Sequence, residues 1–400
     1  MRILLITAHL PYPPRSGHRL RNFNLVTRIA RHHEVWLVSF VDGSGELEGV
    51  RQLSKICAGV ETVSAGEESA FSRPVDALRY LAAGIPPDLR LYESKELTQK
   101  IQQLTDRVNF DIVQIEDSFM ALYLETLPVD LQKKAVLTFH DVVFSKYSRI
   151  WRLEPKATRK FRTWVYSRLM SQWEPRYTER FGRCIAMSEA DCSLLHSANP
   201  RLKITVIPNG IDTSFNQLMP FSNSSPELVF VGNMGYRPNV DAMAFFCQEI
   251  YPRIIEKIPD LKLWIVGINP SPEVKKLENE NVHVTGQVDD VRPYYRRSTV
   301  CVVPLRAGGG TRIKILESMA LGRPVVTTTI GCEGLDVVDG QHLFIADTPG
   351  RFADAVLRLL TDEGLRHRVT KQARELAETR YDWDTIAGDL SCVYEELAAE

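Results

Sequence analysis

The sequence predicts an α/β protein built as two doubly wound halves, each a parallel sheet covered by helices. Three observations predict this. Short apolar runs alternate with helix-period stretches from end to end, the pattern of a sheet buried on both faces. That rhythm restarts once, after residues 207–227, IPNGIDTSFNQLMPFSNSSPE, which are rich in Pro, Asn, Ser and Gly and carry little periodicity. Finally, 400 residues exceed one typical domain. The expected organisation is a first domain over 1–207, a linker over 208–226, a second domain over 227–380, and a closing helix over 381–400 that packs on either half, including a return to the first. The two halves are expected to face one another across a cleft.

In order along the first half, strands are expected at Arg2–Thr7, Glu34–Phe40, Asp111–Ile115, Lys133–Thr138 and Arg183–Ala186. Helices are expected near 18–32, 47–57, 92–107, 118–124 and 146–181. In the second half the strands are Leu228–Val231, Leu261–Val266, Val282–Thr285, Val300–Val303, Val325–Thr328 and His342–Ile345. Helical patterns near 239–257, 290–297, 312–321 and 350–379 separate them. At the closing helix, Asp382 or Asp384 is placed to accept from free N–H groups at its start.

Composition excludes several classes. A net charge of −1 argues against a globally basic nucleic-acid binder. The opening apolar run stops at His9 and Pro11 with no small-residue cleavage site, so it reads as a strand rather than a signal peptide. No run reaches the roughly 18 apolar residues of a membrane span. The seven cysteines include no C-x-x-C, which fits reduced thiols and a cytoplasmic setting.

The chemistry is concentrated in RAGGGTRIKILESMALGRPVV, residues 306–326. The strand Val300–Val303 runs into a glycine-rich loop that opens a helix. In open α/β sheets ligands bind beyond the carboxyl ends of strands. Free N–H groups at a helix start attract phosphate, and glycines let the backbone approach it. Arg312 and Lys314 add cations. Glu317 lies about 7 to 9 Å along the helix, where a carboxylate can accept from a diol such as a ribose. A plain turn with a solvated Glu317 is the alternative. The apolar neighbours of Glu317 weigh against it, because carboxylates are rarely buried without a partner. The loop matches neither of the two common phosphate fingerprints.

GGGTRIKILESMALGRPVV resembles the donor-site motif of the retaining, two-domain GT-B glycosyltransferases of the family-four, or group 1, type. VIPNGID (206–212), FVGNMGYRPNVDA (230–242), AMSEAD (186–191) and the closing YDWDTIAGDLSCVYEEL are also similar to that family. The resemblance implies a GT-B fold, two Rossmann-like domains around a cleft. It implies transfer of a hexose from a nucleoside diphosphate sugar to an acceptor hydroxyl, with retention, in cell-surface or exopolysaccharide glycan synthesis. It places Glu317 on the ribose. The first glutamate of the family's E-x7-E pair falls on Gly309, so the usual sugar contact is absent, and the backbone of Gly309, Gly310 and Thr311 is expected to serve instead. Gly232 and Asn233 lie on the loop after the first strand of the second domain. The family's loop cations fall on Asn233 and Pro238, which leaves Arg312, Lys314 or Arg237 to supply the charge.

In the first domain, His140 ends an apolar strand. An isolated histidine is more often a packed residue than a catalyst, but the resemblance implies that it touches the donor sugar. Asp141 beside it is explained as a helix cap. After the first strand, PYPPRSGHRLRN forces a loop, the helix is expected to begin near His18, and Gly17 lets its free N–H groups approach a phosphate or an acceptor. His18, Arg19 and Arg21 are placed to meet an anionic acceptor, or else Arg19 and Arg21 lie on a solvated face.

Residues 146–183 carry eleven cations against Glu154, Glu174 and Glu179, interleaved with Trp151, Phe161, Trp164, Tyr166 and Trp173. Such helices either pair an aromatic core stripe with a solvated basic face or lie on an anionic membrane. The expectation is peripheral contact with the inner face of the membrane, where a lipid-linked or glycan acceptor is held. DWD (382–384) reads as a cap rather than a metal site, and no H-E-x-x-H is present. Chemistry without metal or cofactor, and no nucleic-acid partner, are expected. Two rivals stand beside the transferase: a nucleotide-sugar 2-epimerase-like GT-B enzyme, and a non-catalytic nucleotide-sugar-binding assembly partner.

Overall fold

The computed structural model describes residues 1–14, 16–41, 43, 46–65, 79–153, 157–221, 226–308 and 312–400. The chain divides into two compact units, Met1–Pro208 with Ile386–Glu400, and Asn209–Thr385. Each contains a parallel sheet, of seven strands in the first and six in the second among the described residues.

In the first unit the strands are β1 (Arg2–Thr7), β2 (Glu34–Val41), β3 (Gly59–Ser64), β4 (Ile112–Glu116), β5 (Ala135–Thr138), β6 (Arg183–Ala186) and β7 (Ile204–Val206). They lie in the order β3-β2-β1-β4-β5-β6-β7. β4 and β5 are buried at every position, as a strand covered on both faces must be. β3 and β7 were not anticipated. They are the two edge strands, and all of β7 and most of β3 are only half-buried, so neither has the apolar run that marks its neighbours. The expected long helix over 146–181 is two helices, Val143–Leu153 and Ala157–Tyr177. The expected helix at 118–124 is a 3-10 stretch, Ser118–Thr126.

In the second unit the strands are β8 (Glu227–Val231), β9 (Lys262–Val266), β10 (Val282–Gly286), β11 (Val300–Val303), β12 (Val325–Thr327) and β13 (Phe344–Ile345), in the order β10-β9-β8-β11-β12-β13. The helical stretch at 350–379 breaks at Asp362. That carboxylate accepts from Leu365 N (2.8 Å), capping a second helix, Glu363–Arg380, behind Pro349–Thr361. Residues expected as linker are tied into this unit. Arg374 donates to Thr213 O (3.1 Å) and Asn216 O (2.6 Å), and the buried Arg323 donates to Met219 O (3.1 Å) and Pro220 O (2.7 Å).

The last helix, Trp383–Ala399, starts in the second unit and from Ile386 belongs to the first. Asp382 caps it by accepting from Asp384 N (2.8 Å), while its other oxygen accepts from Thr213 N (3.1 Å). DWD is thus a cap. Among the described residues no three His, Cys, Asp or Glu side chains gather as a metal site would need.

Candidate functional site

Each sheet has one place where strand order reverses, between β1 and β4 in the first unit and between β8 and β11 in the second. Loops diverge there, and a crevice opens beyond the carboxyl ends of the strands.

In the second unit the loops after β8 and β11 line a cavity of about 270 Å³. Gly232, Asn233, Tyr236 and Asn239 come from the β8 side, and Leu305, Ala307, Arg312, Lys314 and Glu317 from the β11 side and the helix Ile313–Ala320. The local sequence accounts for the shape. A Cβ at Gly232 would come within 2.8 Å of Asn239 Nδ2 and 2.9 Å of Lys314 Nζ, so only glycine leaves both polar groups in place. Gly308 has φ +121°, a backbone that side chains other than hydrogen rarely take, and a Cβ there would crowd the Arg312 guanidinium at 3.2 Å.

Lys314 Nζ donates to Asn239 Oδ1 (3.0 Å) and lies 4.0 Å from the centre of the Phe230 ring. Asn239 in turn donates to Asn233 O (2.9 Å), so one amide ties the cation to the facing loop. Glu317 accepts from Tyr295 OH, at 3.4 Å. Protein walls both charged groups, though each keeps some surface open. Burial, with the like charge of Arg312 added, pushes the Lys314 ammonium down to about 7. Burial pushes the Glu317 carboxyl up to about 7. Burial thus opposes the charged form of both the lysine and the glutamate, and an incoming anion and a hydroxyl donor would each relieve that opposition.

Gly232, Asn233, Arg312, Lys314 and Glu317, expected to act together, do meet here. Gly309, Gly310 and Thr311 lie outside the described residues. Arg237 does not join them. Its side chain is 82% exposed and pairs with Glu273 (3.4 Å), because it begins the helix Arg237–Phe245 on the solvent side. Asn239 and Tyr295 were missed; nothing in their sequence neighbourhood marks them, since their roles come from side chains far along the chain.

In the first unit the corresponding reversal brings together residues at the carboxyl ends of β1, β4 and β5. Gly17 begins the helix Gly17–Ile29, and a Cβ there would meet nothing within 4 Å. His18 is exposed and stacks on His140, ring centres 4.4 Å apart. Loss of water on its protein side, then the charge of His140, push the His18 imidazole down to about 4. His140 is 7% exposed, and its Nε2 lies 2.7 Å from Glu116 Oε2. Burial alone would raise the Glu116 carboxyl, but contact with His140 and the charge of Arg21 outweigh it and hold the group below its usual range.

Arg21 corrects an expectation. It does not face an acceptor: it is 1% exposed and donates to Pro208 O (2.6 Å) and Ile207 O (3.0 Å). Its place on the inner face of the helix Gly17–Ile29 turns it toward the core, where carbonyls rather than solvent take its N–H groups. Arg19 pairs with Glu46 (2.6 Å). Glu116 escaped notice because it ends an apolar strand, one residue beyond the expected limit.

The basic stretch divides. Trp173 is buried, but Phe161 (66% exposed) and Trp164 (46%) stack on each other at the surface, among exposed Arg159, Lys160, Arg162 and Arg168. No helix of the described residues is long and apolar enough to cross a membrane.

Residues 17–215 match the family described as Glycosyltransferase Family 4, and residues 225–362 match Glycosyl transferases group 1. The chain is 22% identical over 402 residues to an uncharacterized 44.6 kDa protein in the cps region of Klebsiella pneumoniae, covering 95% of this chain and 96% of that one. It is 30% identical over 203 residues to the phosphatidyl-myo-inositol mannosyltransferase of Mycobacterium leprae, covering 48% of this chain and about half of the relative (53%). HepE from Anabaena, solved in complex with UDP and glucose, superposes with a TM-score of 0.66 at 16% identity, covering 99% of this chain and 100% of that one. The last likeness gives the fold, GT-B.

Proposed function

Since the chain belongs to the group 1 and family-four glycosyltransferases, we propose that it moves a hexose from a nucleoside diphosphate sugar to an acceptor hydroxyl, with retention of configuration. The observation that carries this reading is the cavity at the β8/β11 reversal, where Lys314 and Arg312 stand at a helix start and Glu317 lies deeper. A diphosphate meets the free N–H groups and the two cations, and the adjoining ribose donates its hydroxyls to Glu317. HepE, solved with UDP and glucose, shares the fold and supports the substrate class.

In the reaction the bond between the anomeric carbon and the phosphate oxygen breaks, and a bond forms from that carbon to the acceptor oxygen. The acceptor proton goes to the departing phosphate oxygen, so no enzyme base is required. Negative charge grows on the diphosphate, and Arg312, Lys314 and the helix start stabilise it without a metal. His140 orients the donor sugar. Gly17 and His18 serve the acceptor side.

The acceptor is a lipid-linked or glycan hydroxyl in cell-surface polysaccharide synthesis, reached while Phe161 and Trp164 rest on an anionic cytoplasmic membrane surface and the neighbouring cations meet its headgroups. A relative matched over about half its length, a phosphatidyl-myo-inositol mannosyltransferase, supports a lipid-borne acceptor. The test is incubation with labelled UDP- and GDP-hexoses, with and without EDTA. Transfer or slow hydrolysis that Glu317→Gln and Lys314→Met both suppress is expected, unchanged by EDTA. Epimer formation, or binding without turnover, would overturn the transferase reading, and loss of activity in EDTA would overturn the metal-free one.

A further inference from the structure

The crevice of the first unit holds a histidine whose orientation is set from behind. His140 Nε2 meets Glu116 Oε2 at 2.7 Å, a short but bent contact. Such bonds are often poorly aligned before a substrate arrives. The other carboxylate oxygen of Glu116 is fully occupied. Oε1 accepts from Gln114 Nε2 and from Thr138 Oγ1 (3.2 Å). Gln114 Nε2 also reaches Thr138 Oγ1 (3.0 Å), and the Tyr394 hydroxyl donates to Gln114 Oε1. This lattice fixes which oxygen faces which neighbour. On the far side the His18 ring lies against His140, and among the described residues no hydrogen bond engages His140 Nδ1.

We propose that Glu116 is a positioning residue for His140: it holds the proton on Nε2, so that Nδ1 presents a lone pair in the crevice and accepts a hydrogen bond from a substrate hydroxyl. The physical reason is the acceptor-only character of an ionised carboxylate. Facing Oε2, the ring in its neutral form lowers its energy by placing its single N–H there, and the second nitrogen is left as an acceptor. Carboxylate and imidazole are both walled from water, so the preference is stronger than on a surface. Stacking against His18 restrains the ring against rotation about χ2. Asp117, Asp141, Lys146 and Arg21 are the other charged groups whose fields reach this cluster.

The lattice makes a sharp prediction for Glu116→Gln. The amide carbonyl takes the place of Oε1, because Gln114 and Thr138 both donate there. The NH2 group then faces His140 Nε2 and donates to it. The ring must move its proton to Nδ1, and the acceptor in the crevice becomes a donor, with no change of size or shape.

The inference rests on the transferase reading for its purpose but not for its test. The full chain, labelled with 15N-histidine, is examined by long-range 1H–15N NMR at a pH where the ring is neutral, with His140→Gln assigning the signals. The wild type is expected to carry the proton on Nε2, Glu116→Gln on Nδ1, and Glu116→Asp on Nε2 again. With the donor and acceptor found for the enzyme, kcat of Glu116→Gln is expected to fall roughly ten- to a hundredfold, by analogy with the loss of the outer partner of a metal-bound histidine, with KM for the nucleotide sugar little changed and activity partly restored in Glu116→Asp. A wild-type proton on Nδ1, an unchanged tautomer in Glu116→Gln, or a reversed tautomer with full kcat would each overturn the proposal. Absence of turnover in the wild type with every nucleotide sugar defeats the transferase reading instead, and leaves the tautomer result to decide the positioning.

Discussion

Lys314 and Glu317 each sit in an environment that opposes their charge, and the two oppositions act over different pH ranges. Glu317 titrates near 7 when folded and near 4.5 otherwise, so the native state holds the extra proton and stability falls as pH rises from about 4.5 to 7. Lys314 titrates near 7 when folded and near 10.5 otherwise, so the unfolded state holds the extra proton and stability climbs from about 7 to 10.5. Glu317→Gln is therefore expected to raise the melting temperature of the ligand-free protein at pH 8 and to leave it nearly unchanged at pH 5. Lys314→Met is expected to raise it at pH 6 and not at pH 10. Both variants are expected to lose nucleotide-sugar affinity. Thermal melts across pH check the first pair of outcomes, and a variant less stable than wild type in its sensitive window contradicts the sign. Binding of a diphosphate sugar at pH 8 is expected to draw about one proton onto Lys314, read by titration calorimetry in buffers of different ionisation enthalpy. Glu317, Lys314 and Arg312 were legible because a short sequence window shows charge among apolar residues at a strand–loop–helix junction. Glu116, Asn239 and Tyr295 were not, because what makes each of them matter is a partner delivered by the fold.

At the scale of elements, the helix Gly17–Ile29 separates structural from functional need for glycine. A Cβ at position 17 has open space. Gly17→Ala is expected to keep or slightly raise the melting temperature, since alanine is the better helix former by up to about 1 kcal/mol. If a phosphate or acceptor approaches this helix start closely, the added methyl lowers transferase activity without touching stability; full activity in Gly17→Ala would remove Gly17 from the site. The helix Ala157–Tyr177 poses the converse case. Its exposed Phe161 and Trp164 contribute little to the core, so their double replacement by alanine is expected to leave the unfolding free energy within about 1 kcal/mol of wild type and to abolish flotation with anionic liposomes. Equal flotation with neutral vesicles, or none in the wild type, contradicts the membrane surface. The strands buried on both faces were readable as apolar runs, whereas β3 and β7 are edge strands with mixed faces, and the break at Asp362 hides inside an unbroken helical period.

At the scale of the whole molecule, the chain passes between its units at Pro208 and again at Thr385, and both passages end in the network around Glu116. Arg21, whose charge acts on Glu116, donates to Ile207 O and Pro208 O where the first passage leaves. Where the second returns, the final helix buries Ile386, Leu390, Val393, Tyr394 and Leu397, and its tyrosine donates to Gln114, the residue that donates to Glu116. Periodicity showed the helix, and the sequence left open which half receives it, because an amphipathic helix states that it needs a partner and not which one. The second-unit cavity, by contrast, is lined by residues of that unit alone. Tyr394→Phe should therefore act on one unit and not the other. It removes the donor to a buried amide oxygen, which costs about 1–3 kcal/mol when nothing replaces it. The expected outcome is a lower-temperature melting transition for the first unit, followed by hydrogen exchange at β4 and β5, with protection of β8 and β11 and affinity for the nucleotide sugar unchanged. A uniform loss of protection in both sheets would mean that the final helix stabilises the molecule as one body, and that the hydroxyl of Tyr394 is not a local support for the carboxylate behind His140.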